Sequence, residues 1–385
     1  PTTAPLNSLL TPSEILFAYT WGGNLSRYNG MFTQQLFGFD RQALNIYSYT
    51  FTRPDTDDPW DNLYRVLLSS RDMIKFAGST APYYAGIAKV LTANTLGTLS
   101  SLYGDIPYSE AVKGDDGKTQ PKYDSQQSIY ASIQALLDAA IVDFTATNTG
   151  LKPGADDIIF GGDMVAWNAT ALALKARYYL HTAKVDPAAY ANAKASAQAA
   201  IDAGFTTYKI TFAGSSATSE APWYQWRTQR DDIIPNLLLF DKMKAIADPR
   251  LSEYFDVTTA GGFNEGFGSY LQSEQGPVVM MYPSELQFIL AEANLGLLDA
   301  ATAETNLVAA VNASYSEIGV TGSYSVSGVT LESVMEQKYY STYLSPESLI
   351  DWRRTGFPAI VPVDGNAVPR KYPYPVKEKN YNGAN

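Results

Sequence analysis

Tyr103-Gly104-Asp105-Ile106-Pro107-Tyr108-Ser109-Glu110-Ala111 is the stretch on which the fold turns. Glycine reaches backbone angles closed to other residues, so Gly104 suits the stop of a helix. Pro107 forces Ile106 to be extended. The phrase therefore ends one helix, over 82–102, and opens a loop toward the next. Downstream, Ile129, Ile133, Leu136, Ala140 and Phe144 recur at steps of three or four, which is one face of a helix over 125–145. Asp124 with Gln127 predicts a capping box at its start.

Working outward, the pattern repeats. Val165, Ala169, Leu172, Ala176 and Tyr179 form a second stripe with Asp163 as its N-cap. Leu286, Leu290, Ala293 and Leu297 form a third, with Ser284 and Gln287 at capping-box spacing. The helices fall into pairs: 82–102 with 125–145, 163–182 with the Ala-rich 187–203, and 284–297 with 300–314. A helix over 331–344 caps the array. Short breaks such as Val185-Asp186-Pro187 suit antiparallel helix hairpins. Pairs that each leave one face unburied stack like tetratricopeptide repeats. Long polar, Gly- and Pro-rich stretches intervene at 41–60, 104–124, 205–235, 255–283 and 355–385, and loops of that length carry function. Thr206–Gly214 reads as a short strand or hairpin arm. Gly261–Gly268 lacks the Lys and the strand–loop–helix context of a phosphate cradle and reads as a mobile loop.

Bulk composition removes whole classes of function. The net charge of −11 repels phosphate backbones, so nucleic acid is not expected as a partner. There are no cysteines and one histidine, His181, so disulfides, thiol catalysis, zinc thiolate sites and multi-histidine metal sites are excluded. His181, at a helix end, reads as a cap or surface residue. No apolar run is long enough for a transmembrane helix. The 27 tyrosines point to contact surfaces, since a Tyr ring buries area and keeps a hydroxyl for bonding.

Eight phrases, in order, carry a resemblance. Trp60-Asp61-Asn62-Leu63-Tyr64 precedes Asp72-Met73-Ile74. Then come Tyr103–Ala111, Pro121-Lys122-Tyr123-Asp124 with Ser128-Ile129-Tyr130, and Gly162-Asp163 with Trp167 and Leu174-Lys175-Ala176-Arg177. Asp248-Pro249-Arg250-Leu251, Gln287–Ala293, Trp352-Arg353-Arg354-Thr355-Gly356 and Val368–Pro375 complete the set. The chain resembles the SusD/RagB family, and most of all its shorter SusD-like branch, whose chains finish on an Asn-rich tail like Tyr381–Asn385. The likeness covers nearly the whole chain and is weakest over residues 1–55.

The resemblance implies an all-α fold: a tetratricopeptide-like α-superhelix of about four helix pairs, with minor short β-strands. It implies one SusD-like domain over 1–385, its helix pairs mainly in 60–204 and 284–345. A loop-rich half, mainly 41–60 and 205–283, is implied to carry ligand. It further implies a non-enzymatic lipoprotein on the outward face of the outer membrane of Bacteroidota-type bacteria, which hands glycans to a SusC-like TonB-dependent transporter. The sequence opens on Pro1, so a signal peptide and a lipid-bearing cysteine are expected upstream of it. The family's phrases mark scaffold, so Trp60, Trp167 and Trp352 are expected in the core, and Arg353 and Arg354 are expected to pair with acids such as Glu292.

Ligand residues vary within the family and must be read from chemistry. A sugar presents apolar C–H faces and hydroxyl edges, so its site needs flat aromatic platforms beside planar polar groups. The segment Trp223–Asp232 packs three large aromatics among polar side chains and lies outside any clear helix, which nominates Trp223, Tyr224, Trp226 and Arg230. In Asn45–Phe51 a period of two places Tyr47, Tyr49 and Phe51 on one side of an extended chain. Trp21 and Tyr270 are lesser candidates.

No cofactor is expected. The acidic run Asp55–Asp58 and the loop Asp115-Asp116-Gly117 offer oxygen ligands to calcium, but neither has the full alternating loop, so both read as solvated turns. Two rival functions remain. An all-helical glycoside hydrolase needs two carboxylates across a cleft, and Glu110 and Asp105 are the available acids. A lid or adaptor of the transporter needs no glycan affinity at all.

Overall fold

The computed structural model describes residues 5–217 and 219–382, without the side chain of Asp116; Gly383–Asn385 of the tail lie outside the described residues. Helices run in the order α1 (Leu6–Thr20), α2 (Ser26–Phe32), α3 (Arg41–Tyr47), α4 (Asp57–Ala77), α5 (Pro82–Tyr103), α6 (Gln126–Thr145), α7 (Met164–Thr182), α8 (Ala189–Asp202), α9 (Pro222–Gln229), α10 (Leu237–Ala245), α11 (Leu251–Tyr254), α12 (Pro283–Gly296), α13 (Ala300–Glu317), α14 (Leu331–Ser341), α15 (Glu347–Thr355) and α16 (Val376–Tyr381).

The scaffold is a stack of antiparallel helices in the order α1, α4, α5, α6, α7, α8, α12, α13, each packed on the next. That is four pairs, an all-α tetratricopeptide-like array in which contacts run between neighbours. Helix α5 lies near its middle and is buried almost all round. Its Leu91, Leu96 and Leu99 are fully buried, and each such side chain contributes about 1.5–3 kcal/mol. Close approach is permitted by glycine: a side chain at Gly86 would enter the Phe144 ring of α6, and one at Gly97 the Tyr178 ring of α7.

The decisive phrase behaves as its residues require. Helix α5 ends at Tyr103, and Gly104 takes φ +88°, closing on Ser100 O at 2.9 Å. Ile106–Pro107 (β2) then pairs antiparallel with Tyr123–Asp124 (β3). The terminal phrase packs on the same place: Tyr372 N donates to Leu102 O at 2.8 Å, and Tyr374 Oη to Asp105 O at 2.7 Å.

Three more short antiparallel pairs stitch the irregular half: Leu36–Gly38 (β1) with Ile233–Pro235 (β5), Tyr208–Ile210 (β4) with Val278–Met281 (β8), and Phe255–Val257 (β6) with Phe263–Phe267 (β7). Strand β4 falls in the segment expected as a hairpin arm. Strand β7 occupies the Gly-rich stretch expected as a mobile loop, because Gly261 at φ +75° turns the chain back onto β6.

Local expectations divide. Asp163 caps α7 through the N–H groups of Val165 and Ala166. The cap of α6, however, is Ser125, which accepts from Ser128 N; Asp124 instead binds the backbone of Tyr108 and Ser109, tying β3 to the loop after β2. Ser284 is no cap either, since Pro283 opens α12 and Ser284 gives its N–H and Oγ to Glu317. His181 is not the surface cap expected: its ring is turned inward, with Nε2 2.9 Å from Glu347 Oε2 and Nδ1 3.1 Å from Tyr130 Oη. Trp60 and Trp167 are buried as expected, but Trp352 is half-buried beneath Arg370. Arg354 pairs with Glu292, whereas Arg353, among the described residues, donates to the carbonyls of Ser101 and Arg370 and pairs with no acid.

Candidate functional site

The aromatic segment nominated as a loop is a helix. Pro222 stands at the first position of α9, where its missing N–H costs nothing. Helical spacing then sends the three aromatics in different directions.

Trp223 points inward. It is buried, its ring packs on Phe267, and its Nε1 donates to Ser26 Oγ at 3.0 Å, so it belongs to the core and is no sugar platform. Tyr224 is half-buried and donates its hydroxyl to Glu274 Oε1 at 3.1 Å, a bond that raises the phenol's pKa. Trp226 faces a third way. Two guanidinium groups lie over its ring, with Arg27 Cζ 4.0 Å and Arg230 Cζ 5.0 Å from the centroid. Arg230 also lies 3.8 Å from Asp232, which is fully buried and whose carboxylate oxygens accept no hydrogen bond from the described residues.

Tyr47 and Tyr49 do not share one face of an extended chain. Asp40 caps α3, and Tyr47 ends that helix, packed on Phe37 with its hydroxyl 3.3 Å from Asn236 Nδ2. Tyr49 takes φ +59°, which turns it into the core; its hydroxyl donates to Phe32 O at 3.1 Å, and burial pushes its pKa above the usual range. Phe51 packs on Phe32 and Tyr372. The lesser candidates Trp21 and Tyr270 line a small cavity of about 70 Å³, and Trp21 spends its Nε1 on Val279 O.

What remains is a cleft of about 220 Å³ between α1, the start of α4 and α9. Gln225, Trp226 and Gln229 enter it from one face of α9, spaced one, three and four apart. Tyr19, Asn24 and Arg27 come from the junction of α1 and α2, and Asn62 from α4. That junction is a five-residue π-turn over Trp21–Leu25, broken at Gly23, which brings Asn24 and Arg27 to the same opening. Asn24 Oδ1 accepts from Arg27 Nη2. Burial lowers the Arg27 pKa to about 10, which still leaves it cationic at neutral pH. The cleft thus offers one indole, four side-chain amides and a guanidinium.

Tyr19, Asn24, Arg27 and Asn62 were not nominated from sequence, and Gln225 and Gln229 entered only as polar members of the segment Trp223–Asp232. Pro222 followed by Gln225, Trp226 and Gln229 at helical spacing is the signal that would have found part of the set.

Among the described residues no group of three or more acidic or histidine side chains is placed to hold a metal. Asp55 binds Thr52 and Gln42, and Asp57 binds Val376 N. The two hydrolase candidates are also tied into loops: Glu110 accepts from Lys122 N and Asp105 from Gln126 N.

Residues 1–375 match the model of a SusD-like family described as starch-binding and associating with the outer membrane. The chain belongs to this SusD-like family. Solved structures share its fold. A SusD/RagB family protein from Bacteroides thetaiotaomicron superposes with a TM-score of 0.81 at 21% identity, over 99% of this chain and 95% of that one. A SusD homologue from Bacteroides fragilis gives 0.80 at 20%, over 98% and 94%. A chitin-binding SusD homologue from Flavobacterium johnsoniae gives 0.79 at 20%, over 98% and 92%. No curated protein matches the chain in sequence.

Proposed function

We propose that this SusD-like protein is a non-enzymatic, lipid-anchored binder on the outward face of the outer membrane, which captures oligosaccharide or polysaccharide and passes it to a SusC-like TonB-dependent transporter. The family's description as starch-binding and associating with the outer membrane, and the chitin-binding activity named for one structural relative, support that reading.

The observation that carries it is the Trp226 cleft, where amides of Asn24, Asn62, Gln225 and Gln229 surround one indole. Planar amides take hydroxyl pairs, and an indole buries a sugar's C–H face. Of the two cations over the ring, Arg27 is buried and fixed, whereas Arg230 is 44% exposed and movable, so a ligand reaches more of the ring by displacing Arg230. Tyr224, Tyr47 and Tyr49 are not part of this cleft.

Catalysis is disfavoured on physical grounds. A general acid for glycoside hydrolysis needs a raised pKa. Glu110 is shifted the other way, held down by the Lys122 N–H and then by nearby lysines.

Affinity gel electrophoresis against starch, soluble chitin derivatives and other neutral polymers tests the binding claim. Retardation by at least one polymer that disappears in Trp226→Ala supports it. Release of shorter oligosaccharides during incubation, or retardation indifferent to Trp226, defeats it.

A further inference from the structure

A second cavity, of about 700 Å³, opens between α6, α7 and α15 and shares no lining residue with the Trp226 cleft. Its walls are cationic, although the chain as a whole carries −11. Arg353, Arg370 and Lys184 all line it.

The two arginines are latched to each other. Arg353 Nη1 donates to Arg370 O at 3.2 Å and also to Ser101 O, and Arg370 Nη2 donates to Arg353 O at 2.7 Å. The Arg370 guanidinium is further seated 5.4 Å over the Trp352 ring. Neither side chain, nor Lys184, makes an ion pair with a carboxylate among the described residues. Arg354, at the same cavity, is different: Glu292 and Asp351 neutralise it. Asp186 is a carboxylate on the lining, and its Oδ1 accepts from Ala188 N at 3.2 Å. Glu347 lies nearby but is committed to His181.

Holding two like charges together without a counter-ion is costly, and burial makes it more so. At Arg353 burial lowers the pKa and the Arg370 charge pushes in the same direction, while Tyr130 and the Glu347 carboxylate pull against them without restoring it. The ligand that relieves the cost is an anion, and a planar carboxylate matches the guanidinium fork better than a spherical ion does. The remaining walls suit a sugar. Gln126 and Gln134 supply amides, the Oε1 of Gln134 is buried without a hydrogen bond, and Tyr179 supplies a ring. The volume falls within the range of small-molecule sites.

We propose that this cavity is a second ligand site, specific for a sugar that carries a carboxylate, with the carboxylate against Arg353 and Arg370 and the hydroxyls on Gln126 and Gln134. It extends the ligand range beyond the neutral glycans of the Trp226 cleft and does not depend on that cleft.

Titration calorimetry with tri-galacturonate and with glucuronate tests it, with maltotriose as the neutral comparator and succinate as a carboxylate without hydroxyls. At least one uronate should bind at least tenfold more tightly than either comparator. Arg370→Ala, an exposed change that spares the core, should weaken that binding tenfold or more, and Trp226→Ala should leave it unchanged. Lys184→Ala should weaken it by a smaller factor, and 0.5 M salt should weaken it in the unmodified protein. The proposal is overturned if neither uronate binds, if Arg370→Ala has no effect on a protein whose melting is unchanged, or if succinate binds as tightly as the uronates. Loss of uronate binding in Trp226→Ala would place the ligand in the other cleft and would equally overturn it.

Discussion

The guanidinium carbon of Arg27 lies 4.0 Å from the centre of the Trp226 ring, although the two residues are 199 positions apart. This contact fixes the one indole in the cleft, and it separates Trp226 from its neighbour Trp223, which is sealed into the core. The two tryptophans should therefore fail differently. Trp226→Ala should weaken retention on a bound neutral glycan by on the order of 10–100-fold, the equivalent of about 1.5–3 kcal/mol of lost burial, with little change in melting. Trp223→Ala should cost about 3–5 kcal/mol of stability in urea titration instead. Equal melting points for the two variants would contradict this assignment.

How far this was legible in the sequence depended on where the determining contacts lie. The hairpin of α5 and α6 was readable because Gly104 and Pro107 act locally, and Asp163 as a cap for the same reason. Helix α1, half of the first pair, was not assigned: Pro12 sits inside it and no side chain caps its start. Trp226, nominated from its segment, lines the cleft, but its neighbours there, Asn24, Arg27 and Asn62, reach it through tertiary folding that no local spacing encodes. Tyr49 was misplaced because a positive φ at a tyrosine reflects the surrounding packing, not its own preference.

The buried pair of Arg177 and Glu285 ties α7 to α12 across two bonds, Nε to Oε1 and Nη2 to Oε2, each 2.7 Å. Arg177 also donates to Met280 O, and its Nη1 lies 3.9 Å from Glu347. Arg177→Met would leave Glu285 and part of Glu347's charge uncompensated in the core. Removing one partner of such a pair costs about 3–5 kcal/mol, which chemical denaturation would read directly. A loss below 1 kcal/mol would show that water reaches these carboxylates on substitution.

Glu317 links stability to pH. Burial raises its carboxyl to about 7, against the pull of two bonds donated by Ser284. A group whose folded pKa is raised stabilises the fold below its unfolded value, here 4.5, and loses that contribution as pH climbs to about 7. The decline amounts to on the order of 3 kcal/mol for this group alone. Glu317→Gln keeps an acceptor for Ser284 N and a donor for its Oγ but cannot ionise. The difference in unfolding free energy between about pH 5 and pH 8 should shrink in this variant relative to the unmodified protein. An unchanged difference would mean that Glu317 ionises freely in the folded state.

The α5–α7 crossing is set by Gly97, since any side chain there would enter the Tyr178 ring. Tyr178 is itself fixed, donating its hydroxyl to Asn94 Oδ1 at 2.7 Å, and both helices are buried at this point, so neither yields easily. Gly97→Ala gains helix propensity of about 1 kcal/mol in isolation, yet overpacking of this kind costs about 1–3 kcal/mol or more, so the net change should be destabilising. Tyr178→Leu should be destabilising as well, because it leaves Asn94 without that donor. Combined, the two should cost less than their sum, since the shorter leucine vacates the space the new methyl needs. A double-mutant cycle by urea unfolding reads that coupling, expected to favour the pair by about 0.5–3 kcal/mol. Strict additivity would mean that the helices separate to admit the methyl and that the crossing is not held by the Gly97–Tyr178 contact.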